Sequence, residues 1–526
     1  MNSLSTIAGD KMSKGLIIKK DNFIPVWAFK LCEWANANEI SDEDFPRNFK
    51  ELSNLKILSI CNSNITELPK EIGNLSTLTM LYLSDNNFTE LPKEIGQLSN
   101  LTELDISFNN LTELPKEIGN LSKLSFLDLS SNKLTKIPNE IGHLSKLNLS
   151  DKKTTGFPKD ILELLNLTDI DLQRNEFTEL PIEIGELSKL NLSGNKFTKF
   201  PKEILELLGL TEIDLGRNQL TELPKEIGKL SKLTKLNLGG NKFTELPKEI
   251  GKLSELTKLN LSSNKFTEVP KEILELLNLT RLDLWNNKII ELPKKIEQLS
   301  NLTELNIKYN NLNKLPKEIG SLSRLIYLEL SDNNLEKLPI EIGRLKTLIQ
   351  LRLSHNELEK LPIEIGQLKN LEVLTLSHNK LKNLPIEIGR LKNLEVLPWS
   401  HNYLSELPIE ALELPRVILD NNQNSKIPPN AEMPLADSNW KNRLFLGIAI
   451  GSISLLGYHS YEWWQTGVWD PVILRDVLSS GELEVLENPT EWIRFTKILN
   501  FFASTSLWLG CLMGSMVGVY ITRRKD

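Results

Sequence analysis

Proline recurs along this 526-residue chain at a nearly constant interval, and this periodicity restricts the possible folds more than any other feature of the sequence. Most neighbouring prolines of the series lie 23 residues apart, as Pro92 and Pro115 do, and three intervals are 20 residues. A period of roughly 20–50 residues is typical of a solenoid, in which each repeat buries its apolar face against its neighbours. The series consists of Pro69, Pro92, Pro115, Pro138, Pro158, Pro181, Pro201, Pro224, Pro247, Pro270, Pro293, Pro316, Pro339, Pro362, Pro385, Pro408 and Pro428.

Each repeat contains the pattern of one short strand and one short helical turn. The unit from Leu91 to Glu113 reads LPKEIGQLSNLTELDISFNNLTE. Residues 103–107 alternate Glu-Leu-Asp-Ile-Ser, which is the two-residue period of a strand with one buried face. The proline of each unit suits the first turn of a helix, because its missing N–H would be unpaired there anyway. We therefore predict an α/β solenoid with a parallel concave sheet and short helical turns on the convex side.

The repeat resembles the leucine-rich repeat family, whose core pattern is L-x-x-L-x-L-x-x-N-x-L. Leu101, Leu104, Ile106, Asn109 and Leu111 fill that pattern in the unit above. The LPxEIGxL segment is similar to the short-repeat subgroup of Ras-associated scaffolds in plants and animals and of many bacterial proteins. The resemblance covers about residues 50 to 430 and implies a horseshoe that binds other molecules on its concave face.

An asparagine stands six residues before almost every proline of the series. In the family this side chain turns inward and bonds backbone groups of adjacent coils, which would otherwise be buried without partners. An amide suits that role because it carries both donors and an acceptor. Two units depart from the pattern, with Ser63 and Lys152 at the asparagine position.

The repeats and the composition around them divide the chain into five regions. A solenoid needs capping at its ends, and the Trp27 and Trp34 side chains are suited to covering the first coil. We expect a flexible N-terminus at 1–21, a helical N-terminal cap at 22–50, about 17 leucine-rich repeats at 51–423, a proline-containing linker at 424–440 and a two-helix hydrophobic hairpin at 441–526.

The hairpin is predicted from two apolar stretches. Residues 444–461 and 498–521 contain no Asp, Glu, Lys or Arg, and both are long enough to cross a bilayer as helices. Basic residues flank the pair on its outer sides, as is typical of cytoplasmic ends. We therefore expect a multi-pass membrane protein with two spans and a repeat domain that faces the cytoplasm. A C-terminal cap made of two buried helices is the alternative.

Several classes of function are excluded by what the sequence lacks. The formal net charge is -7, so no bulk basic field is available to hold nucleic acid. The sequence contains no phosphate-binding loop, no G-x-S-x-G elbow and no H-E-x-x-H motif. We therefore predict no enzymatic activity, no catalytic residues, no cofactor and no metal.

One region of the concave face stands out as a candidate binding site. Arg281, Trp285, Lys308, Tyr309 and Tyr327 occupy successive strands, and exposed aromatic residues beside arginine are typical of binding hot spots. Strands stack about 4.8 Å apart, so these side chains would form one patch. An incidental scatter of aromatic residues is the alternative interpretation.

Histidine recurs at one position of three successive repeats, as His355, His378 and His401. Such a column could bind a metal or respond to pH. We favour the alternative that these units, which share the letters LSHN, were duplicated together and that the column has no function.

These observations predict a non-enzymatic, membrane-anchored scaffold that binds a protein partner on its concave face. The family resemblance suggests a small GTPase or another signalling protein as the partner, by analogy only. The alternative is a pore-forming or toxin-like protein whose hairpin inserts into a membrane while the repeats recognise a target.

The Lys152 departure gives a first testable prediction. A lysine cannot replace the acceptor of the amide, so we expect looser stacking of the coil near residues 145–157. Amide hydrogen exchange should be faster there than in the neighbouring coils. Exchange as slow as that of the neighbours would contradict this prediction.

Overall fold

The structure, a computed structural model, divides the chain into two compact units, Met1–Asp437 and Ser438–Asp526. All of the residues that it describes belong to the first unit. They are residues 12–13, 16–19, 22–134, 137–141, 144–151, 167–180, 187–404, 408–412, 414 and 418–419.

Three short antiparallel strands precede the repeats. Strand β1 (Met12–Ser13) pairs with β2 (Leu16–Lys19), and β2 pairs with β3 (Asn22–Pro25). The flexible terminus expected at 1–21 therefore contains two strands. The apolar run in β2 explains the difference, because β-branched isoleucines favour extended pairing.

Helix α1 (Val26–Ala37) covers the first coil, and the shorter α2 (Phe49–Leu52) leads into it. The Trp34 indole Nε1 donates to the carbonyl oxygen of Glu67 at 3.1 Å, and the Lys30 ammonium lies 3.0 Å from the Glu71 carboxylate. The side chain of Leu31 is fully buried. This helix thus covers apolar surface that the first repeat would otherwise expose.

A parallel sheet runs the length of the array, as the period predicts. Each strand pairs with the strand before and the strand after it in the chain, so the sheet is an open ribbon in sequence order. Its strands are β4 (Ile57–Ser59), β5 (Met80–Tyr82), β6 (Glu103–Asp105), β7 (Phe126–Asp128), β8 (Lys146–Asn148), β9 (Asp169–Asp171), β10 (Lys189–Asn191), β11 (Glu212–Asp214), β12 (Lys235–Asn237), β13 (Lys258–Asn260), β14 (Arg281–Asp283), β15 (Glu304–Asn306), β16 (Tyr327–Glu329), β17 (Gln350–Arg352), β18 (Val373–Thr375), β19 (Val396–Leu397) and β20 (Ile418–Leu419).

The strands end sooner than the alternation of residues 103–107 suggests. Strand β6 stops at Asp105, whose carboxylate Oδ1 accepts a hydrogen bond from the Ser107 amide at 2.9 Å. This local bond starts a turn, as short polar side chains do elsewhere in proteins. The last residue of most neighbouring strands makes the same bond, so the turn that follows each strand is set by that side chain.

Where the structure describes the convex side of a coil, the return contains a short helix, in most coils a 3₁₀ helix, that begins directly after the proline. Glycine is required within it where coils approach closely: a Cβ atom at Gly96 would lie 2.2 Å from the carbonyl oxygen of Glu117 in the next coil. The 3₁₀ helices are Lys70–Asn74, Lys93–Gln97, Lys116–Asn120, Asn139–Ile141, Lys202–Glu206, Lys225–Lys229, Lys248–Lys252, Lys271–Glu275, Lys294–Gln298, Lys317–Ser321, Ile340–Arg344, Ile363–Gln367 and Ile386–Arg390, and a short α3 (Ile409–Leu412) follows them.

The predicted asparagine column is confirmed by its hydrogen bonds. In a typical coil, Asn241 donates from Nδ2 to the carbonyl oxygens of Leu215 at 2.9 Å and Leu238 at 3.0 Å. Its Oδ1 accepts from the Leu220 amide at 3.0 Å. Leu215 and Leu220 belong to the preceding coil, so one buried side chain joins two coils.

Ser63 departs from this column for a simple reason. The asparagine of each coil bonds the coil before it, and the first repeat has no preceding repeat to bond. Ser63 instead donates its hydroxyl to the carbonyl oxygen of Cys61 at 3.1 Å, and its amide donates to Asn86 Oδ1 at 3.2 Å. The other exception, Lys152, lies outside the described residues.

The predicted membrane location is contradicted. No helix among the residues that the structure describes is long and apolar enough to cross a membrane. Helix α1 has 12 residues, whereas a span needs about 20. A repeat of this kind divides its apolar residues among short elements that all face one core, so no long apolar helix arises from it. The predicted spans at 444–461 and 498–521, and the linker at 424–440, lie outside the described residues.

The substitution Asn241→Leu tests the asparagine column. It leaves the Leu220 amide buried without its partner, which costs about 1–3 kcal/mol, and it removes one of the two bonds that the Leu215 carbonyl accepts, since the bond from Asn218 remains. We expect the free energy of unfolding, measured with urea, to fall by about 2–4 kcal/mol. The control is Asn278→Ala, which removes an exposed side-chain bond to the Ser254 carbonyl and should cost less than about 1 kcal/mol. Equal losses in the two variants would contradict the role of the column.

Candidate functional site

The strand register places the predicted site residues on neighbouring coils of the concave face. Arg281, Glu304 and Tyr327 are direct partners across β14, β15 and β16. Two turns position the remaining residues: the Asp283 carboxylate accepts from the Trp285 amide at 2.9 Å, and Asn306 Oδ1 accepts from the Lys308 amide at 3.1 Å. The repeat therefore brings residues from three coils onto one surface.

Trp285 and Tyr309 form an edge-to-face pair. Their ring centroids lie 6.3 Å apart at an interplanar angle of 72°. The Lys308 ammonium lies 4.9 Å from the centroid of the Tyr309 ring, within the range of a cation–π interaction. Tyr309 has a backbone φ of 51°, in the left-handed region, and its side chain is 45% exposed. The turn thus presents an aromatic ring to solvent instead of to the core.

Tyr327 belongs to an adjacent group of contacts with Glu329 and Arg352. The Tyr327 hydroxyl donates to Glu329 Oε2 at 3.1 Å, and the Arg352 guanidinium carbon lies 5.7 Å from the centroid of the Tyr327 ring. Arg352 Nε lies 3.9 Å from Glu329 Oε2, and the Ser331 amide donates to Glu329 Oε1 at 2.9 Å. A buried carboxylate with several partners therefore holds the tyrosine and the arginine in place.

The five predicted residues are all on this surface, but they do not all touch one another. Tyr309 contacts both Trp285 and Lys308, whereas Arg281 pairs with Glu304 at 3.0 Å. We use the name aromatic cluster for the surface formed by Arg281, Trp285, Lys308, Tyr309, Tyr327, Glu329 and Arg352.

Glu329 and Arg352 are members that the sequence analysis missed. Glu329 occupies the position that Asp283 and Asn306 occupy on the two preceding strands. The change to a longer carboxylate side chain at this position is the sequence signal that could have identified it. Arg352 aligns with Glu329 on the next strand. A search for opposite charges at one register position would have found this pair.

Charge at the edge of the aromatic cluster is partly compensated. Burial raises the pKa of the Asp332 carboxyl above its ordinary value, while the positive charges of Lys308 and His355 oppose the rise and Glu329 adds to it. The Lys308 ammonium lies 3.9 Å from the Asp332 carboxylate. The cluster therefore combines the exposed ring of Tyr309, the half-buried rings of Trp285 and Tyr327, and both signs of charge.

Elsewhere on the concave face, neighbouring coils solvate one another's charges, as the alternation of residue types predicts. The Glu212 carboxylate lies 3.3 Å from the Lys189 ammonium and 2.9 Å from the Lys235 ammonium. Asn237 Nδ2 donates to Asp214 Oδ2 at 2.9 Å. Because these side chains already bond one another, few of their polar atoms remain to bind a ligand.

One carboxyl group in this ladder is strongly perturbed. Burial raises the pKa of Asp171 from 3.8 to about 6, against hydrogen bonds from the Gln173 amide and the Asn191 side chain that lower it. Both of its oxygens accept bonds, so its role is to close the turn and to join two strands.

The three histidines of the column stack on one another. The rings of His355 and His378 lie 4.1 Å apart, and those of His378 and His401 lie 4.0 Å apart, with nearly parallel planes. Each has a φ of 55° at the same turn position as Tyr309. Within the described ranges, no group of three or more His, Cys, Asp or Glu side chains is arranged to hold a metal ion.

Comparison with protein families identifies repeats along most of this architecture. A model described as "Leucine-rich repeat region" matches residues 23–111 and 248–325. A second, "Leucine rich repeat", matches residues 185–243, 209–266, 300–358 and 327–381, and a third of the same name matches residues 123–144. The comparison with curated proteins found no match.

Solved structures with the same architecture include a leucine-rich repeat protein of Leptospira interrogans. It is 43% identical over 71% of this chain and 98% of that chain, with a TM-score of 0.64. A TDR receptor is 26% identical over 75% of each chain, with a TM-score of 0.52. The Drosophila Toll–Spatzle complex matches at 24% identity over 65% of this chain and 50% of that chain, with a TM-score of 0.53, a likeness of fold alone.

The raised pKa of Asp171 predicts a pH dependence of stability. Between about pH 4 and pH 6 the unfolded chain loses this proton while the folded chain keeps it, so the group's contribution to stability falls as pH rises. Asp171→Asn removes that contribution. The free energy of unfolding of the native chain minus that of the variant should fall by roughly 2–3 kcal/mol from pH 4 to pH 7. A constant difference across this range in urea titrations would contradict the assignment.

Proposed function

The chain belongs to the leucine-rich repeat proteins, and we propose that it is a non-enzymatic scaffold whose aromatic cluster binds a protein partner on the concave face. The observation that carries the proposal is the contact between the half-buried Trp285 ring and the exposed Tyr309 ring, beside the Lys308 ammonium. Aromatic rings with adjacent cations are the groups that contribute most to binding energy at protein interfaces.

The fixed positions of these side chains support the proposal. Rings that are already held by neighbouring groups lose little conformational freedom when a partner binds, so less of the interaction energy is spent on ordering them. Tyr327 is held by Glu329, and Trp285 and Lys308 are held by the turns that Asp283 and Asn306 close. A partner would therefore meet a prearranged surface.

Trp285 adds a second, independent observation. Its indole Nε1 is enclosed and has no hydrogen-bond partner within the part of the chain that the structure describes. A buried indole N–H usually has an acceptor. A small rotation of this ring on binding would give the N–H a carbonyl or carboxylate oxygen of the partner.

The family relationship favours a protein as the ligand, since proteins of this family are typically binding scaffolds without enzymatic activity. A TDR receptor, 26% identical to this chain, is by its name a receptor. A small GTPase partner, a signalling role and the pore-forming alternative have no support in the comparisons, and the proposal is limited to a protein partner. No membrane anchor is part of it.

Alanine substitution of the three aromatic residues tests the proposal. The full chain and its Trp285→Ala/Tyr309→Ala/Tyr327→Ala variant would each be expressed in the cells from which the protein comes, with a proximity-labelling enzyme attached. For proteins that the native chain enriches, we expect the enrichment to be at least about ten-fold lower with the variant. The reason is that hot-spot truncations cost about 2 kcal/mol or more of binding free energy.

Phe108→Ala is the matched control. Phe108 occupies the same turn position as Tyr309 in another coil, also has a positive φ, and is 58% exposed, but it lies outside the aromatic cluster. The control should keep the full enrichment, and urea unfolding should establish that both variants are folded. Unchanged enrichment with a folded triple variant would eliminate the aromatic cluster as the binding site.

A further inference from the structure

A row of exposed isoleucines lies on the convex side, apart from the aromatic cluster. Ile340, Ile363 and Ile386 are the first residues of three successive 3₁₀ helices, and Ile409 is the first residue of α3. Their exposed fractions are 60%, 59%, 60% and 47%. The row is thus a continuous apolar strip across four coils, and it is not part of the core.

The preceding coils carry lysine at the same position. Lys225, Lys248, Lys271, Lys294 and Lys317 begin their 3₁₀ helices in the same way. The coil therefore folds with a charged side chain there, and packing within the array does not require isoleucine. A contiguous apolar strip that the fold does not need is typical of an interaction site.

Exposed basic side chains outnumber carboxylates at the C-terminal end of the row, although a glutamate follows each isoleucine in the chain. A hollow of about 460 Å³ at this end of the row is lined by Lys369, Ile386, Glu387, Gly389, Arg390, Lys392 and Glu410. Three of these residues are cationic, and all three are exposed. Of the two carboxylates, Glu387 is already paired with Arg390 at 3.9 Å. The C-terminal end of the apolar strip thus lies in locally basic surroundings on a chain whose net charge is negative.

We propose that the isoleucine row is a second docking site, which binds an amphipathic helix with acidic flanks from another protein. Strands of the concave sheet repeat about every 4.8 Å, and the convex side of a horseshoe repeats at somewhat wider spacing, close to the pitch of about 5.4 Å of an α-helix. A helix lying along the row would place one apolar side chain beside each isoleucine. Its acidic flanks would face Lys369, Arg390 and Lys392.

Charge decides between this occupant and a second copy of the chain. Two copies meeting through this row would bring together two surfaces that both carry exposed cations, and like charges at an interface disfavour association. An amphipathic helix with acidic flanks instead complements both the apolar row and the basic side chains beside it. The row and the aromatic cluster have no residue in common, so either site can fail its test without affecting the other.

The test uses a fluorescent peptide of about 18 residues, or about 27 Å as a helix, with leucines along one face and glutamates on both flanks. Fluorescence anisotropy with the full native chain should give saturable binding that weakens with added salt. The variant Ile340→Lys/Ile363→Lys/Ile386→Lys should bind at least about ten-fold more weakly. These changes introduce the residue that the preceding coils already carry, so the fold should be kept.

Two controls accompany the measurement. Lys225→Ala/Lys248→Ala/Lys271→Ala changes the same position in other coils and should bind the peptide as the native chain does. A scrambled peptide of the same composition, which has no apolar face, should not bind. The proposal is overturned by a native chain that fails to bind, by a lysine variant that binds equally well, or by equal binding of the scrambled peptide. Light scattering that finds a dimer of the native chain and a monomer of the lysine variant would assign the row to self-association instead.

Discussion

The rest of the structure depends on the hydrogen bonds that each asparagine of the asparagine column makes with the coil before it. Leucines supply the apolar burial, but burial has no direction and would not by itself fix one coil upon the next. The amide of Asn241 bonds a carbonyl and an amide of the preceding coil, where water has no access. Repeated along the array, such bonds hold the coils in a single register, because any shift would leave buried backbone groups without partners.

That register is also what creates binding surfaces. Equivalent positions of successive coils form columns, so a residue type that recurs at one position becomes a continuous surface feature. The aromatic cluster, the stacked histidines and the exposed isoleucine row all arise in this way, from residues about 23 positions apart in sequence. The concave columns lie on strands and the turns that follow them, whereas the isoleucine row lies at the start of the convex helices. One array can therefore present two independent surfaces.

The candidate site could be predicted only in part from the sequence. The repeat period predicts Arg281, Trp285, Lys308, Tyr309 and Tyr327 on successive strands. The structure places Arg281 and Tyr327 in strands and the other three residues in the turns that follow β14 and β15. The period does not reveal which side chains touch, since contact depends on rotamers and on partners such as Glu329 and Arg352. The expected membrane location is contradicted, because no helix among the described residues is long and apolar enough to cross a membrane. The apolar stretches 444–461 and 498–521, on which that prediction rested, lie outside those residues.

The sequence by itself determined the period, the strand and helix positions, the inward leucines and the asparagine column. Each of these follows from local alternation and from a spacing that repeats many times, so no knowledge of distant contacts is needed. Tertiary structure decided the pairing of Tyr327 with a buried carboxylate and the raised pKa of Asp171. These depend on how closely neighbouring coils approach and how completely they exclude water, and both are properties of the stacked array and not of a single repeat.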